Sequence, residues 1–137
     1  MPSLLYVIKQ LELAVRSHLD DIVKAAGITA LQYTALTVLD RHDGLSLAQL
    51  ARDSFVTPQS VADLVANLER GGLVRRDRNP RNRRELIVSL TPAGRELLAA
   101  HADAVAALEA RLTAGLTPEQ AADFRGRLDA CRLALRD

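Results

Sequence analysis

Apolar residues near the start of the chain fall at Leu4, Ile8, Leu11, Val15, Leu19 and Ile22, separated by 4, 3, 4, 4 and 3 positions. That spacing lays one stripe along a helix and predicts a long helix over residues 3–26, stopped by Gly27. Thr29-Ala-Leu-Gln32 sets a hydroxyl at an N-cap and an amide three residues later, so that each side chain can bind the other residue's backbone N–H. It opens a second helix carrying Leu31, Ala35, Leu36 and Leu39. Ser46-Leu-Ala-Gln49 repeats the device ahead of a short helix with Leu47, Leu50 and Ala51. Thr57-Pro58 is a cap followed by proline at the first helical position, where no backbone N–H is needed. That helix sets Val61, Leu64, Val65 and Leu68 on one face and ends at Gly71-Gly72, a left-handed C-cap signal.

From Leu73 the period changes. Leu86, Val88 and Leu90 alternate, and Val74 fits a partner strand across Asn79-Pro80-Arg81-Asn82, which has turn composition. Residues 73–78 and 83–90 are expected to form a small antiparallel hairpin. Thr91-Pro92 caps a helix over 92–115 with Leu98, Val105, Leu108 and Leu112 on one side. Thr117-Pro-Glu-Gln120 caps the last, 118–136, whose stripe is Ala121, Phe124, Leu128, Cys131 and Leu135. With no internal repeat and no long linker, residues 1–137 read as a single domain, mainly α with a small antiparallel β-hairpin.

Composition changes this picture little. Apolar residues make up 48% and charged residues 26%, which is globular rather than disordered, and aromatics at 3% leave the core to Leu, Ala and Val. No window approaches 18 uncharged apolar residues, and Lys9 and Glu12 interrupt the first helix, so no membrane span and no secretory signal are expected. A single cysteine, Cys131, excludes an internal disulfide and fits a reducing cytoplasmic location.

Charge changes it more. The net charge is +1, yet between Arg70 and Arg84 seven arginines (Arg70, Arg75, Arg76, Arg78, Arg81, Arg83 and Arg84) stand against Asp77 alone. That stretch carries +6 and the remainder of the chain sums to −5. A local patch of this kind suits a polyanion with repeating phosphates. Helix, short helix, capped helix and basic hairpin over 30–90 follow the order of a winged helix-turn-helix lobe, whose second helix enters the major groove while the hairpin reaches toward the backbone. The helices at 3–26 and 92–136 carry apolar stripes that so small a lobe cannot cover, which predicts a helical dimerisation region and a C2 homodimer.

With Val61, Leu64, Val65 and Leu68 inside, the exposed positions of the capped helix are Gln59, Ser60, Ala62 and Asp63, with Asn67 one turn on. Thr57 and Pro58 open that helix beside free N–H groups that can meet a phosphate. Gln59 and Ser60 are the expected base readers, and Arg81, Arg83 and Arg84 the expected phosphate contacts at the wing tip. Arg75 and Arg76 have Asp77, Glu69 and Glu85 as alternative partners. Enzyme chemistry finds no foothold. His18, His42 and His101 are far apart, no Gly-rich phosphate loop or Cys–His pair is present, and no metal or cofactor is expected. His101 falls on an apolar face, where a satisfied internal histidine is expected.

The stretches GITALQYTALTVL (27–39), GLSLAQLARDSFVTPQSVADLVANLERGGLVRR (44–76), NPRNRR (79–84), LTPAGRELL (90–98) and LTPEQ (116–120) resemble the MarR family of bacterial transcriptional regulators. The resemblance runs over essentially the whole chain. It implies a homodimer with helices from both chain ends interleaved and two winged lobes on double-stranded DNA with a pseudo-palindromic operator. It also implies release by a small aromatic or anionic effector. Ligands of the family lodge between the dimerisation helices and the winged lobe, which points to Arg16, His18 and Tyr33 as effector contacts. Family members that sense peroxide use a cysteine in the first helix, and this chain has none there. Two departures stand out: Asn82 occupies a position where relatives often carry Asp, and Asp63 and Asn67 replace frequent basic residues. Asp63 then either accepts from a cytosine amino group or pairs with a nearby arginine. Two other readings stay open: a DNA-binding regulator with no small-molecule switch, and a winged-helix protein-interaction module.

Overall fold

Ser3 accepts a hydrogen bond from the Tyr6 amide at 3.2 Å and so caps helix α1, Leu4–Val23. In the computed structural model, which describes residues 1–42, 44–54 and 57–136, α1 runs into a 3₁₀ turn, Lys24–Ala26, and Gly27 closes it at φ 77°. Helix α2, Ala30–Arg41, starts from the Thr29/Gln32 capping box with both reciprocal bonds formed, at 3.2 and 2.8 Å. Asp20 of α1 accepts from the Ala30 amide at 2.6 Å, so a carboxylate also sits at the positive end of α2. Strand β1, Leu45–Ser46, and helix α3, Leu47–Ser54, follow, with Ser46 and Gln49 making the second capping box. Helix α4 is Pro58–Arg70, β2 is Val74–Asn79, β3 is Asn82–Leu90, α5 is Pro92–Leu112 and α6 is Pro118–Ala134. The third capping box, Thr117/Gln120, opens α6. Val56, the first residue of the VTPQSV stretch, lies outside the described residues.

The expected hairpin is therefore present but belongs to a three-stranded antiparallel sheet in the order β1-β3-β2. β1 pairs Leu45 with Val88 and Ser46 with Ile87. Two residues carry no readable period, so only their partner strand reveals them as a strand. β2 and β3 pair Val74 with Leu90 through Arg78 with Leu86, then slip to Asn79 with Asn82.

The core is made by α2, α3, α4 and the sheet. Leu36, Leu50, Val65 and Val88 are completely buried, and Val61, Leu64, Leu68, Val74 and Leu90 join them. All four apolar positions expected inside α4 are buried. Two expectations need correcting. Leu31 shares an angular face with Val38 two turns on, yet it is exposed, because in the first turn of α2 the covered residues are Ala30 and Tyr33, which lie on other faces of the helix. Leu86 alternates with Val88 and Leu90 but is exposed, because the hairpin has left the core by that point. Val23, absent from the expected α1 stripe, is completely buried where the chain turns toward α2.

Contacts divide the chain into two compact units, Met1–Ala102 and Asp103–Asp137. In the first, the stripe of α1 is exposed at Leu4, Ile8 and Leu11. In the second, α6 leaves Leu128 exposed while Ala121 and Phe124 are half-buried, and Glu109 meets Arg125 at 2.7 Å. No single helix among the described residues is long and apolar enough to cross a membrane.

Candidate nucleic-acid interface

The N-terminal turn of α4 is exposed and its hydrogen bonds are partly committed. Thr57 Oγ1 accepts from the Ser60 N–H at 3.1 Å and donates to Ser60 Oγ at 2.9 Å, and the Val61 N–H donates to the Thr57 carbonyl at 2.9 Å. Pro58 has no N–H to offer. The Gln59 N–H has no acceptor among the described residues. Because Ser60 Oγ already accepts from Thr57, its own proton points to whatever lies outside. Gln59, Ser60, Asp63 and Asn67 are all exposed. Asn67 accepts a hydrogen bond from Arg70 through its side-chain oxygen. Asp63 makes no ion pair or hydrogen bond among the described residues, so the intramolecular pairing open to it in the sequence does not form here.

At the other end of α4 the chain is locked. Gly71, Gly72 and Leu73 donate to Asn67, Glu69 and Leu68 carbonyls at 3.1, 3.0 and 3.0 Å, with Gly72 at φ 75°. That is the closure in which a left-handed residue lets the helix's last carbonyls be satisfied. Thr91 ties the far end of the hairpin to the same corner. Its N–H donates to the Leu73 carbonyl at 3.1 Å, its hydroxyl donates to the Gly72 carbonyl at 2.6 Å, and its oxygen accepts from the Gly94 N–H at 3.1 Å. A Cβ at Gly94 would stand 2.3 Å from the Leu73 carbonyl oxygen, so only glycine allows α5 to approach this closely.

The arginines of the hairpin divide by position. At its base, Arg76 reaches back to Glu69 of α4 with Nε at 3.1 Å and a terminal nitrogen at 2.7 Å, and Arg75 meets Asp77 at 3.3 Å. The two hydrogen bonds from Arg76 hold the Glu69 carboxyl below its ordinary range, and Glu69 in turn pushes the Arg76 guanidinium up. Nearer the tip, Arg78 donates to the Arg83 carbonyl at 3.0 Å. Asn79 accepts from the Arg81 N–H at 3.0 Å and donates to Glu85 at 3.0 Å, while Asn82 accepts from the Arg84 N–H at 3.2 Å. Asn82 thus supplies the acceptor that shapes the turn without bringing a negative charge to it. Arg81, Arg83 and Arg84 are exposed and face no carboxylate among the described residues. Arg78, counted in the basic stretch but not among the expected contacts, is a fourth exposed arginine close to the turn. Its alternation with Arg76 along β2 was the signal available.

The three expected effector contacts differ in exposure. Tyr33 is buried, which pushes its phenol up, whereas Arg16 is half-buried and held by Glu12 at 3.0 Å, and His18 is exposed. No hydrogen bond joins any two of the three. A concavity of about 970 Å³ lies elsewhere, within the second unit, walled by Ala106, Ala110, Phe124, Arg125 and Leu128. His101 is half-buried and its Nδ1 lies 2.8 Å from the Leu97 carbonyl, which can only accept, so Nδ1 carries the proton. Among the described residues no three His, Cys, Asp or Glu side chains are grouped to hold a metal.

Comparison with known proteins agrees with this geometry. The model of the MarR family matches residues 26–85, from the 3₁₀ turn after α1 to the wing. The HTH-type transcriptional repressor Rv2887 of Mycobacterium tuberculosis is 32% identical over 124 residues, which span 90% of this chain and 89% of that protein. The crystal structure of Rv2887 in complex with p-aminosalicylic acid is 30% identical, covers 95% of this chain and 98% of that one, and superposes with a TM-score of 0.75. The MepR–DNA complex of S. aureus, at 23% identity, shares the fold with a TM-score of 0.87 over 98% of this chain and all of that one. A capped helix and a basic wing set in that order, over nearly the full length of both chains, place this protein in the MarR family of winged helix-turn-helix transcriptional regulators.

Proposed function

We propose that the protein is a cytoplasmic homodimeric repressor that binds a pseudo-palindromic operator in double-stranded DNA and is released by a small aromatic or anionic effector. The observation that carries the reading is the contrast in charge pairing. Arg81, Arg83 and Arg84 stay unpaired among the described residues at the wing tip although the chain holds almost as many carboxylates as cations. An arginine with no internal partner brings its full charge to a phosphate. Thr57 and Pro58 present the start of α4, where the Gln59 N–H can meet a second phosphate, and Gln59, Ser60, Asp63 and Asn67 face the bases. The function needs no catalytic group. The MepR complex supports the reading by finding the same fold on DNA.

Residues 30–90 act as the reading lobe of a single 1–137 domain, and helices 3–26 and 92–136 as the dimerisation region. The exposed Leu4, Ile8, Leu11, Leu112 and Leu128 support that division, because apolar residues in such number need a partner surface. The effector reading leans on Rv2887, which was crystallised with an aromatic carboxylate. Arg16, His18 and Tyr33 are its proposed contacts. A regulator without a small-molecule switch is the second reading, favoured by Glu12 already neutralising Arg16.

Two measurements test the proposal. Light scattering at micromolar concentration is expected to give a dimer, and a stable monomer refutes it. A gel shift on DNA flanking the protein's own gene is expected to retard the duplex, with a log–log salt slope near −7 if a dimer contacts about eight phosphates. Absence of any shift at low salt sinks the DNA reading.

A further inference from the structure

We propose that Asp63 determines specificity by requiring cytosine at one position of each half-site, an inference that rests on the DNA-binding reading above. Opposite the buried Val61, Leu64, Val65 and Leu68, helical geometry places Gln59, Asp63, Ala66 and Arg70 along the centre of the outer face of α4. Asp63 is one turn in from the N-terminus, about 6 Å along the axis from Gln59, or close to two base-pair steps. It sits where a helix lying in the major groove comes nearest to base edges.

The nearby cations are engaged elsewhere. On its own helix Asp63 is flanked by Gln59, Ser60, Ala66 and Asn67, none of them positive. Arg70 is hydrogen-bonded to Asn67, Arg76 to Glu69, and Arg75 pairs with Asp77. The carboxylate therefore reaches the groove uncompensated. It can only accept hydrogen bonds. In the major groove guanine offers two acceptors, thymine an acceptor and a methyl, and adenine a donor beside the acceptor N7. Cytosine alone offers an amino donor with no acceptor of its own beside it. Every other base sets a lone pair or a methyl group against the carboxylate, and any phosphate repels it. The side chain thus lowers affinity for DNA in general and restores it where cytosine answers.

The neighbours are consistent with this pattern. Ser60 is left as a donor by its bond from Thr57. Asn67, whose side-chain oxygen already accepts from Arg70, keeps its amino group free to donate. Asp63 is the acceptor among donors.

The experiment selects bound duplexes from a randomised pool with the wild-type dimer and with the D63A and D63N proteins, and measures affinity for a random duplex. For the wild type, cytosine is expected at one position of each half-site, and its replacement is expected to weaken binding by about 5- to 150-fold per half-site, the span of one good base contact. D63A should lose preference at that position alone and bind the random duplex more tightly. D63N should move the preference from cytosine toward adenine. Asp63 is exposed, and thermal melting is expected to confirm that both variants fold. If D63A keeps every base preference of the wild type, the assignment is overturned while the regulator reading stands. It is also overturned if the position it affects is not cytosine. If the wild type selects no sequence at all, the DNA-binding reading falls with it.

Discussion

At the base of the β2–β3 hairpin Arg75 faces Asp77 and Arg76 faces Glu69, whereas Arg81, Arg83 and Arg84 at its tip face no carboxylate among the described residues. The residue type is the same and the strands are continuous. The difference lies in what the register brings opposite each guanidinium. Near the base, β2 runs alongside α4, and a carboxylate on the last turn of that helix takes up Arg76. Toward the tip the hairpin leaves the core, the backbone N–H groups of Arg81 and Arg84 are held by two uncharged asparagines, and the one nearby carboxylate among the described residues, Glu85, is hydrogen-bonded to Asn79 rather than to an arginine. The base spends its charge on architecture. The tip keeps it for a phosphate.

Removing the tip should give the largest effect. A protein with R81A, R83A and R84A together is expected to lose up to six phosphate contacts per dimer, so the salt slope should fall from about −7 to about −2. Affinity for specific and random DNA should fall alike, by more than about 100-fold at low salt. Its melting temperature should barely move, because exposed substitutions of this kind stay within about 0.5 kcal/mol. A large drop in melting temperature would show that the tip is architectural after all.

Disturbing the base should do the reverse. Gly94→Ala forces a Cβ to within 2.3 Å of the Leu73 carbonyl oxygen, an atom held by the Thr91 N–H and unable to swing away. Overpacking of this kind costs about 1–3 kcal/mol, occasionally more, which lowers the melting temperature by several degrees in a chain of this size. The salt slope of the protein that remains folded should be unchanged. Differential scanning calorimetry and the gel shift together measure both.

A single tip substitution sharpens the contrast further. Arg83→Ala should weaken binding to all sequences and flatten the slope by roughly one to two units, since a dimer loses two contacts. Gln59→Ala, on α4, should relax sequence preference with less effect on slope. Equal effects of the two changes on specific and random DNA would erase the distinction between phosphate and base contacts.

The smallest effect concerns acid. Arg76 holds the Glu69 carboxyl below its ordinary value of 4.5, so the pair adds stability above that pH and loses it as pH falls through the lower, folded-state value. Glu69→Gln should therefore melt slightly below the wild type at pH 7, and the gap should narrow as pH falls below 4.5. Melting curves on either side of that pH check the sign. A gap that widens in acid would mean that Arg76 is held by something other than this carboxylate.

Local chemistry made much of the fold legible before any contact was known. Thr29 with Gln32, Ser46 with Gln49 and Thr117 with Gln120 each close within four residues, so a helix start can be read wherever the pair occurs. The inner face of α4 was equally plain, because Val61, Leu64, Val65 and Leu68 repeat at helical spacing. The exposure of Leu31 and Leu86 was not, since periodicity gives a face and says nothing of where along an element its cover ends. β1 escaped because a two-residue strand exists only through Val88 and Ile87, some forty residues away.

The candidate site divides in the same way. Sequence alone determined that arginines crowd residues 70–84, that Thr57 caps a helix and that Asp63 lies outside it, because these follow from composition and from a period of 3.6. Tertiary structure decided which of those charges remain available. Glu69 and Arg76 are seven residues apart and meet only because the chain reverses at Gly72 and runs β2 back along α4. Asp63, on the outer face of α4, meets no cation among the described residues. A charge is legible from its codon; its partner depends on a path in space, and electrostatic energy depends on the distance between the two.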